Sequence, residues 1–271
     1  MQKRIFITGA SRGIGAAVAE YLAQRGCRVV GTTRDVSKLG GDAPNHQNIT
    51  MISMDVTDAD SIKNAVSRAG EEMGGIDVLI NNAGISHMGP FEEMPDEQGR
   101  EIFETNFFGL INMTKAVVPM MRKAGGGLIL NISSLGGKVG IPFQSYYVAS
   151  KFALEGWSEA ARMELKTQGI DLVIVEPGDI KTDITSHHLL CESDSSNYKE
   201  CYESACRSVR ENVAHAGPPE DVAKVIYKII TKKRSGVRYP AGKGAKMLSF
   251  LLTVVPDRLV ERLVMKSYKV G

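Results

Sequence analysis

The stretch Ser145 to Lys151, SYYVASK, carries two phenols and one ammonium in a segment that reads as a helix. A helix places residues four apart on one face, so Tyr147 neighbours Lys151 whereas Tyr146 neighbours Ser150. A free phenol titrates near ~10, too high for efficient proton transfer at neutral pH, and a nearby ammonium lowers that value by about 1 to 3 pH units. The spacing selects Tyr147 as a general acid/base and leaves Tyr146 as a packing or pocket residue. Its natural task is to protonate the alkoxide formed when hydride reaches a carbonyl, or to remove that proton in the other direction.

Such a phenol needs a hydride carrier beside it. Thr8-Gly9-Ala10-Ser11-Arg12-Gly13-Ile14-Gly15 follows an apolar run and opens directly into a helical pattern. Glycines at 9, 13 and 15 allow a sharp turn, and the N–H groups of the loop can then approach a pyrophosphate at the positive end of the helix dipole. A purely structural turn is the competing reading. At the end of the second apolar run the sequence is Gly31-Thr32-Thr33-Arg34-Asp35. A strand ending at Thr33 would turn Arg34 towards a ribose 2′-phosphate, with Arg12 closing from the other side, which favours NADP(H). If instead Asp35, 20 residues after Gly15, takes the ribose hydroxyls, the cofactor is NAD(H). Asp55 and Val56, after the third run, are placed to touch the adenine edge.

These groups must be held by a scaffold, and the hydrophobic pattern supplies one. Apolar runs at Arg4 to Thr8, Arg28 to Thr32, Thr50 to Met54, Val78 to Ile80, Leu128 to Ile132 and Asp171 to Val175 read as strands buried on both faces. Helical stretches separate them, for example Ile14 to Gln24 ahead of Gly26. The alternation predicts an α/β fold, a doubly wound parallel sheet with helices on both faces, in a single domain of 271 residues. Ligands bind such sheets at the carboxyl ends of the strands, so the polar segment after Pro177, residues 184–216, is expected to cover a substrate. Residues 241–271 form a C-terminal extension in which Met247 to Tyr268 reads as a helix at the rim of the site or at a subunit contact.

Composition narrows the function. With 33 basic and 31 acidic residues there is no electrostatic footprint for nucleic acid, and Lys232-Lys233-Arg234 reads as a solvated end. No segment approaches the roughly 20 apolar residues of a membrane span, and the first apolar run is too short for a signal peptide. A cytoplasmic location is expected. Four cysteines fit a reducing compartment; Cys27 reads as an apolar filler inside a strand. His187, His188 and Cys191 have metal-ligand types but lack the second ligand pair of a zinc site, and a mobile loop is the better reading.

Taken with Asn81-Asn82-Ala83-Gly84, the glycine loop and Tyr147-x-x-x-Lys151 occur in the order seen in short-chain dehydrogenases/reductases, and the chain resembles that family firmly over residues 4 to about 183. The resemblance implies a Rossmann-like fold, with Tyr147 as acid/base and Lys151 lowering its pKa and binding the nicotinamide ribose. It implies that Ser134, 13 residues before Tyr147, holds the substrate oxygen, and that Asn106 helps hold a water linking the lysine to solvent. Asn82, Ala83 and Gly84 would steady the sheet beside the cofactor, and Pro177, Gly178, Ile180 and Thr182 would meet the carboxamide end of the nicotinamide. Thr33 and Arg34 resemble the NADP-preferring branch, and the longer stretch SYYVASKFALEGWSEAARMEL resembles members acting on hydroxysteroids, retinoids and other lipophilic carbonyls. A homodimer or homotetramer is implied. The expected activity is interconversion of a ketone or aldehyde and an alcohol, with Phe143, Met88 and residues 184–190 as candidate substrate contacts. A catalytically silent NADP-binding regulator and an NAD-linked alcohol dehydrogenase are the alternatives.

Overall fold

A computed structural model describes residues 2–41, 43–182, 189–190, 197–231 and 236–270, with 189–190 described by backbone alone. Seven strands form one parallel sheet. In chain order β1 (Arg4–Ile7), α1 (Gly13–Ala23), β2 (Arg28–Thr33) and β3 (Ile49–Ser53) come first. They are followed by α2 (Ala59–Met73), β4 (Val78–Asn81), the short β5 (His87–Met88), α3 (Asp96–Phe103) and α4 (Gly109–Lys123). Then come β6 (Gly127–Ile132), α5 (Ser145–Lys166), β7 (Ile170–Pro177), the short β8 (Leu189–Leu190), α6 (Lys199–Ala214) and α7 (Glu220–Thr231). The chain ends with β9 (Arg238–Ala241), α8 (Ala245–Val254) and α9 (Asp257–Tyr268).

The sheet order is β3-β2-β1-β4-β6-β7-β9. The chain winds outward from β1 to β3, returns to pair β4 against the other side of β1, and winds outward again. The carboxyl ends of β1 and β4 therefore diverge at the reversal point, where an open α/β sheet forms its crevice. Successive residues of each strand face opposite layers. Ile5 and Ile7 pack with Val18, Leu22, Val222 and Ile226 of α1 and α7, whereas Phe6 packs with Ile62, Val66, Met113 and Val117 of α2 and α4. Because both layers are filled, Ile5, Phe6 and Ile7 are all fully buried, which explains why the strands read as continuous apolar runs.

Three expectations need correction. Cys27 is buried but precedes β2 and stands in the turn after α1. Met247 to Tyr268 is two helices, because Pro256 cannot continue α8 and instead starts α9. The edge strand β9 was not anticipated; four residues containing Arg238 and Pro240 carry little strand signal. Residues 184–188, His187 and His188 among them, Cys191 and Lys232 to Arg234 lie outside the described residues.

Candidate active site

β1 delivers the glycine loop to the sheet's reversal point. Gly9 has φ of 65°, in the left-handed region, and a Cβ there would lie 2.9 Å from Ala83 Cα. Gly15 is excluded from other identities by contact alone: a Cβ would collide with the Gly9 carbonyl oxygen and stand 2.6 Å from Asn82 Nδ2. The motif after β4 clips this turn in place. Thr8 Oγ1 accepts from the N–H groups of Asn82 (3.0 Å) and Ala83 (2.9 Å), and Asn82 Nδ2 donates to the carbonyls of Thr8 (3.0 Å) and Gly9 (2.8 Å).

The α1 N-terminus then opens into the cradle. Arg12 precedes the helix without capping it through its side chain, and its first turn holds no acidic residue. An uncapped helix start with that field suits an anion, so the residues present fit the pyrophosphate of a dinucleotide. Ser11 and Ile14 are half-buried beside it, and Arg12 is exposed. From the far side, Thr182 Cγ2 would lie 3.5 Å from a Cβ on Gly13, so the segment after β7 arches back to the loop. Pro177 closes β7, Gly178 N–H donates to Ala241 at 3.0 Å, and Ile180 is buried and bridged to Gly217.

At the outer end of β2, Thr33 is the last strand residue and Arg34 is exposed. Asp35 turns away: its Oδ1 accepts from Ser37 N–H (2.9 Å) and Ser37 Oγ (2.6 Å), and Lys38 Nζ lies 3.4 Å from Oδ2. Those donors, the Ser37 side chain first, hold its carboxyl below the usual range. Asp55 caps its own turn through Thr57, at 2.9 Å to the N–H and 2.7 Å to Oγ1, while Val56 is buried.

Ser134, Tyr147 and Lys151 meet at the carboxyl end of β6. Ser134 follows that strand and its Oγ accepts from Gly136 N–H at 3.0 Å, capping a short turn over Leu135–Gly137. The Tyr147 ring borders the same turn: a Cβ on Gly136 would lie 3.4 Å from Ser134 Oγ and 3.5 Å from Tyr147 Cε1. Lys151 is buried, donates to the Ile132 carbonyl at 3.0 Å, and holds its Nζ 5.8 Å from the centre of the Tyr147 ring. Burial pushes this ammonium down to about 8, against the opposing charge of Glu155. Burial also pushes the Tyr147 phenol up; the Ser134 hydroxyl opposes this and the Asp179 charge adds to it. That direction is opposite to the lowering expected from Lys151. The ammonium faces the Ile132 carbonyl, and desolvation of the phenolate dominates.

Asn106 sits in a turn of π-helix, Glu104–Phe108, joining α3 to α4. Its Oδ1 accepts from Ile85 N–H (2.8 Å), and its Nδ2 donates to Ile85 O (2.9 Å) and Ser150 Oγ (3.1 Å). The side chain thus clamps the loop after β4 to the helix that carries Tyr147 and Lys151. Gly84 gives it room, since a Cβ there would lie 3.2 Å from Oδ1. Tyr146 faces elsewhere: a Cβ on Gly99 of α3 would come within 2.7 Å of its ring, and the His87 ring centre is 5.8 Å from its own.

Two buried polar sets escaped the sequence reading. Asn81 Nδ2 donates to Asn131 Oδ1 (2.9 Å) and Thr114 Oγ1 (3.1 Å), and Asn131 Nδ2 donates to Ser158 Oγ (2.9 Å), tying the middle strands to α4 and α5. Behind Lys151, Arg238 Nε lies 2.9 Å from Glu155 Oε2 and 3.2 Å from Glu176 Oε1, and its Nη1 lies 2.7 Å from Glu159 Oε1. Glu155 follows Lys151 by one helical turn, and Glu176 interrupts the apolar β7; both were visible as anomalies in sequence.

A phenol and an ammonium at the strand ends, facing an uncapped helix after a glycine turn, belong to oxidoreductases that work with nicotinamide dinucleotides. Residues 3–189 match the family model described as short chain dehydrogenase. The chain belongs to the short-chain dehydrogenase/reductase family. It is 39% identical to an uncharacterized oxidoreductase, YusZ, of Bacillus subtilis, covering 98% of this chain and 99% of that one. It is 38% identical to the 3-ketodihydrosphingosine reductase of Bacteroides thetaiotaomicron, covering 90% and 89%. Among solved structures, a short chain dehydrogenase from Burkholderia cenocepacia in complex with NADP superposes with a TM-score of 0.76 at 25% identity, covering 97% of this chain and 98% of that one.

Proposed function

We propose that this oxidoreductase is NADP(H)-dependent and interconverts a ketone or aldehyde and an alcohol on a lipophilic molecule with a steroid-like or acyl body. The observation that carries the reading is Ser134 Oγ and the Tyr147 ring meeting at Gly136, with Lys151 one helical turn on, on the sheet that carries the glycine cradle. The nicotinamide, when bound, supplies hydride to the carbonyl carbon or accepts it from the alcohol. Ser134 holds the carbonyl oxygen by hydrogen bonding, and the Tyr147 phenol gives its proton to that oxygen as the C=O π bond opens. The tyrosinate left behind is stabilised by the Lys151 ammonium and regains its proton from solvent. Asn106 keeps the helix bearing both groups in register with the loop after β4.

Because Tyr147 is pushed up, its protonated form is the one present at neutral pH, which suits reduction. The cation beside it is present below about 8 and lost above. Reductive kcat/KM, which reports free-enzyme groups, should therefore be level near neutrality and fall as pH rises through about 8. A profile without a break in that range speaks against the role given to Lys151.

Support for NADP(H) comes from the end of β2. Asp35 is committed to Ser37 and Lys38, which leaves the exposed Arg34 to meet a 2′-phosphate. Arg34→Ala should raise the KM for NADPH by about tenfold or more, the loss expected for one charge-assisted contact, and leave that for NADH nearly unchanged. An equal rise for both cofactors would favour the NAD(H) reading.

The lipophilic substrate is supported by Phe143, Met88, Tyr202 and Tyr268, which cluster beside α5 under α6 and α9, and by the sphingoid substrate in the name of the Bacteroides relative. Within the expected covering segment 184–216, α6 supplies Tyr202, Ala205 and Val209 to this cluster. Exposed Phe108 and Phe152 beside and on α4 and α5 support a homo-oligomer through those helices. Cytoplasmic residence is part of the reading, supported by the free thiols of Cys27, Cys201 and Cys206.

A further inference from the structure

The two C-terminal helices, consecutive in the chain, both expose large apolar side chains. Met247, Leu248, Phe250, Leu251 and Val254 of α8 and Leu259, Leu263 and Met265 of α9 all face solvent, Met247 with 67% and Phe250 with 65% of its surface open. Residues 247, 250, 251 and 254 have the spacing that lines one helical face. That face cannot turn inward, because the opposite side of α8 is pinned: Ala245 and Ser249 are buried, and Ser249 Oγ accepts from Lys138 Nζ at 2.8 Å and donates to Glu176 at 3.4 Å.

The helix that follows, α9, carries cations. Between 243 and 269 stand Lys243, Lys246, Arg258, Arg262, Lys266 and Lys269 against only Asp257 and Glu261. Arg258, Arg262 and Lys266 repeat every four residues and share a face. Lys269 is taken up by Glu211 at 3.5 Å, and the others give the patch a positive rim. An exposed apolar patch of this kind marks an interaction site, and its charge selects the partner. A second copy of the chain would set cation against cation, whereas anionic phospholipid headgroups complement the rim and acyl chains accept the stripe.

We infer that α8 and α9 lie flat on the surface of a bilayer containing anionic phospholipid, with Phe250 and Leu251 at the acyl boundary and Arg258 and Arg262 on the headgroups. The contact is peripheral, since among the described residues no helix is long and apolar enough to cross a membrane. The patch is continuous with the catalytic end of the sheet: α8 is tied to Glu176 at the end of β7, and Tyr268 of α9 packs into the cluster with Phe143 and Met88. The docking rests on these helices and their charges, independently of which carbonyl is reduced.

Flotation of the full chain with phosphatidylcholine vesicles, with and without added phosphatidylserine, tests this. The chain should float with the phosphatidylserine vesicles and be released by salt. Phe250→Glu with Leu251→Glu should weaken binding by about tenfold or more, and Arg258→Gln with Arg262→Gln by about fivefold for each charge removed. All four positions are exposed, so circular dichroism and turnover of a water-soluble carbonyl should stay at parental levels and separate lost docking from misfolding. No flotation, equal flotation on phosphatidylcholine alone, or a glutamate variant that only lowers the molecular mass in solution would overturn the inference; the last would identify a second copy as the occupant. Should the parent reduce no carbonyl at all, flotation still reads the docking, so the two proposals fail separately.

Discussion

Tyr147→Phe should lower kcat for carbonyl reduction by about 10²- to 10⁴-fold, the range general acid catalysis supplies, while Tyr146→Phe stays within a factor of a few of the parent. The contrast is the informative part, because the two phenols are chain neighbours of identical chemistry. Tyr147 meets Ser134 and lies one turn from Lys151. Tyr146 packs its ring on Gly99 and beside His87, contacts that phenylalanine preserves. The Kd for NADPH in Tyr147→Phe should be little changed, since the cradle of Gly9, Gly15 and Asn82 does not depend on the phenol. Ser134→Ala should cost about 10²-fold, the effect of losing one oxyanion donor. Full activity in Tyr147→Phe, or its loss in Tyr146→Phe, would reverse the assignment.

Arg238→Met should destabilise the fold by about 3–5 kcal/mol near neutral pH, the cost of breaking a buried ion cluster from one side. Arg238 is the cation facing Glu155 and Glu176 at once, and Glu176 is fully buried. Lys138 lies farther off, 3.8 Å from Glu176. Burial first, and then the Glu155 charge, pushes the Glu176 carboxyl above its ordinary 4.5. A carboxyl whose folded value is raised favours the folded state below the unfolded value, and that contribution is lost as pH rises through the folded one. The penalty of Arg238→Met should therefore shrink as pH falls from about 7 to about 5, and Glu176→Gln added to it should recover part of the loss. Thermal unfolding at the two pH values measures both effects; a penalty independent of pH would mean that Arg238 acts by packing alone. Because the Glu155 charge also supports the ammonium of Lys151, and Arg238→Met removes a cation from beside that carboxylate, the variant should move the alkaline limb of the activity profile to higher pH.

Six of the seven strands of the main sheet were legible in the sequence, the inner ones because burial on both faces keeps their runs apolar, and the edge strand β3 because Ile49, Met51 and Ile52 still mark it although only Ile52 is buried. The glycine loop, the motif after β4 and the tyrosine-lysine pair were legible because each is local and its spacing carries its geometry. What escaped was assembled from distant positions. Arg238 reaches α5 from the last strand, and Asn81 finds Asn131 only because β4 and β6 are neighbours in the sheet. β9 was missed because its edge position and proline remove the usual pattern. The direction for Tyr147 was misjudged for a related reason: four-residue spacing places Lys151 nearby, but only the fold shows that its ammonium turns to the Ile132 carbonyl.

The same β9 bears on how the molecule behaves in a crowded solution. It is the outermost strand beyond β7, and the carbonyls of Val237 and Ala241 accept from Ile174 of β7 at 2.9 Å and from Gly178 just past it at 3.0 Å. Alternation along the strand then points the backbone of residues 238 and 240 outward. An outward backbone edge can template a strand from another chain, but at Pro240 it has no N–H to donate. The residue that hid this strand from the sequence reading thus protects one margin of the sheet against edge-to-edge aggregation.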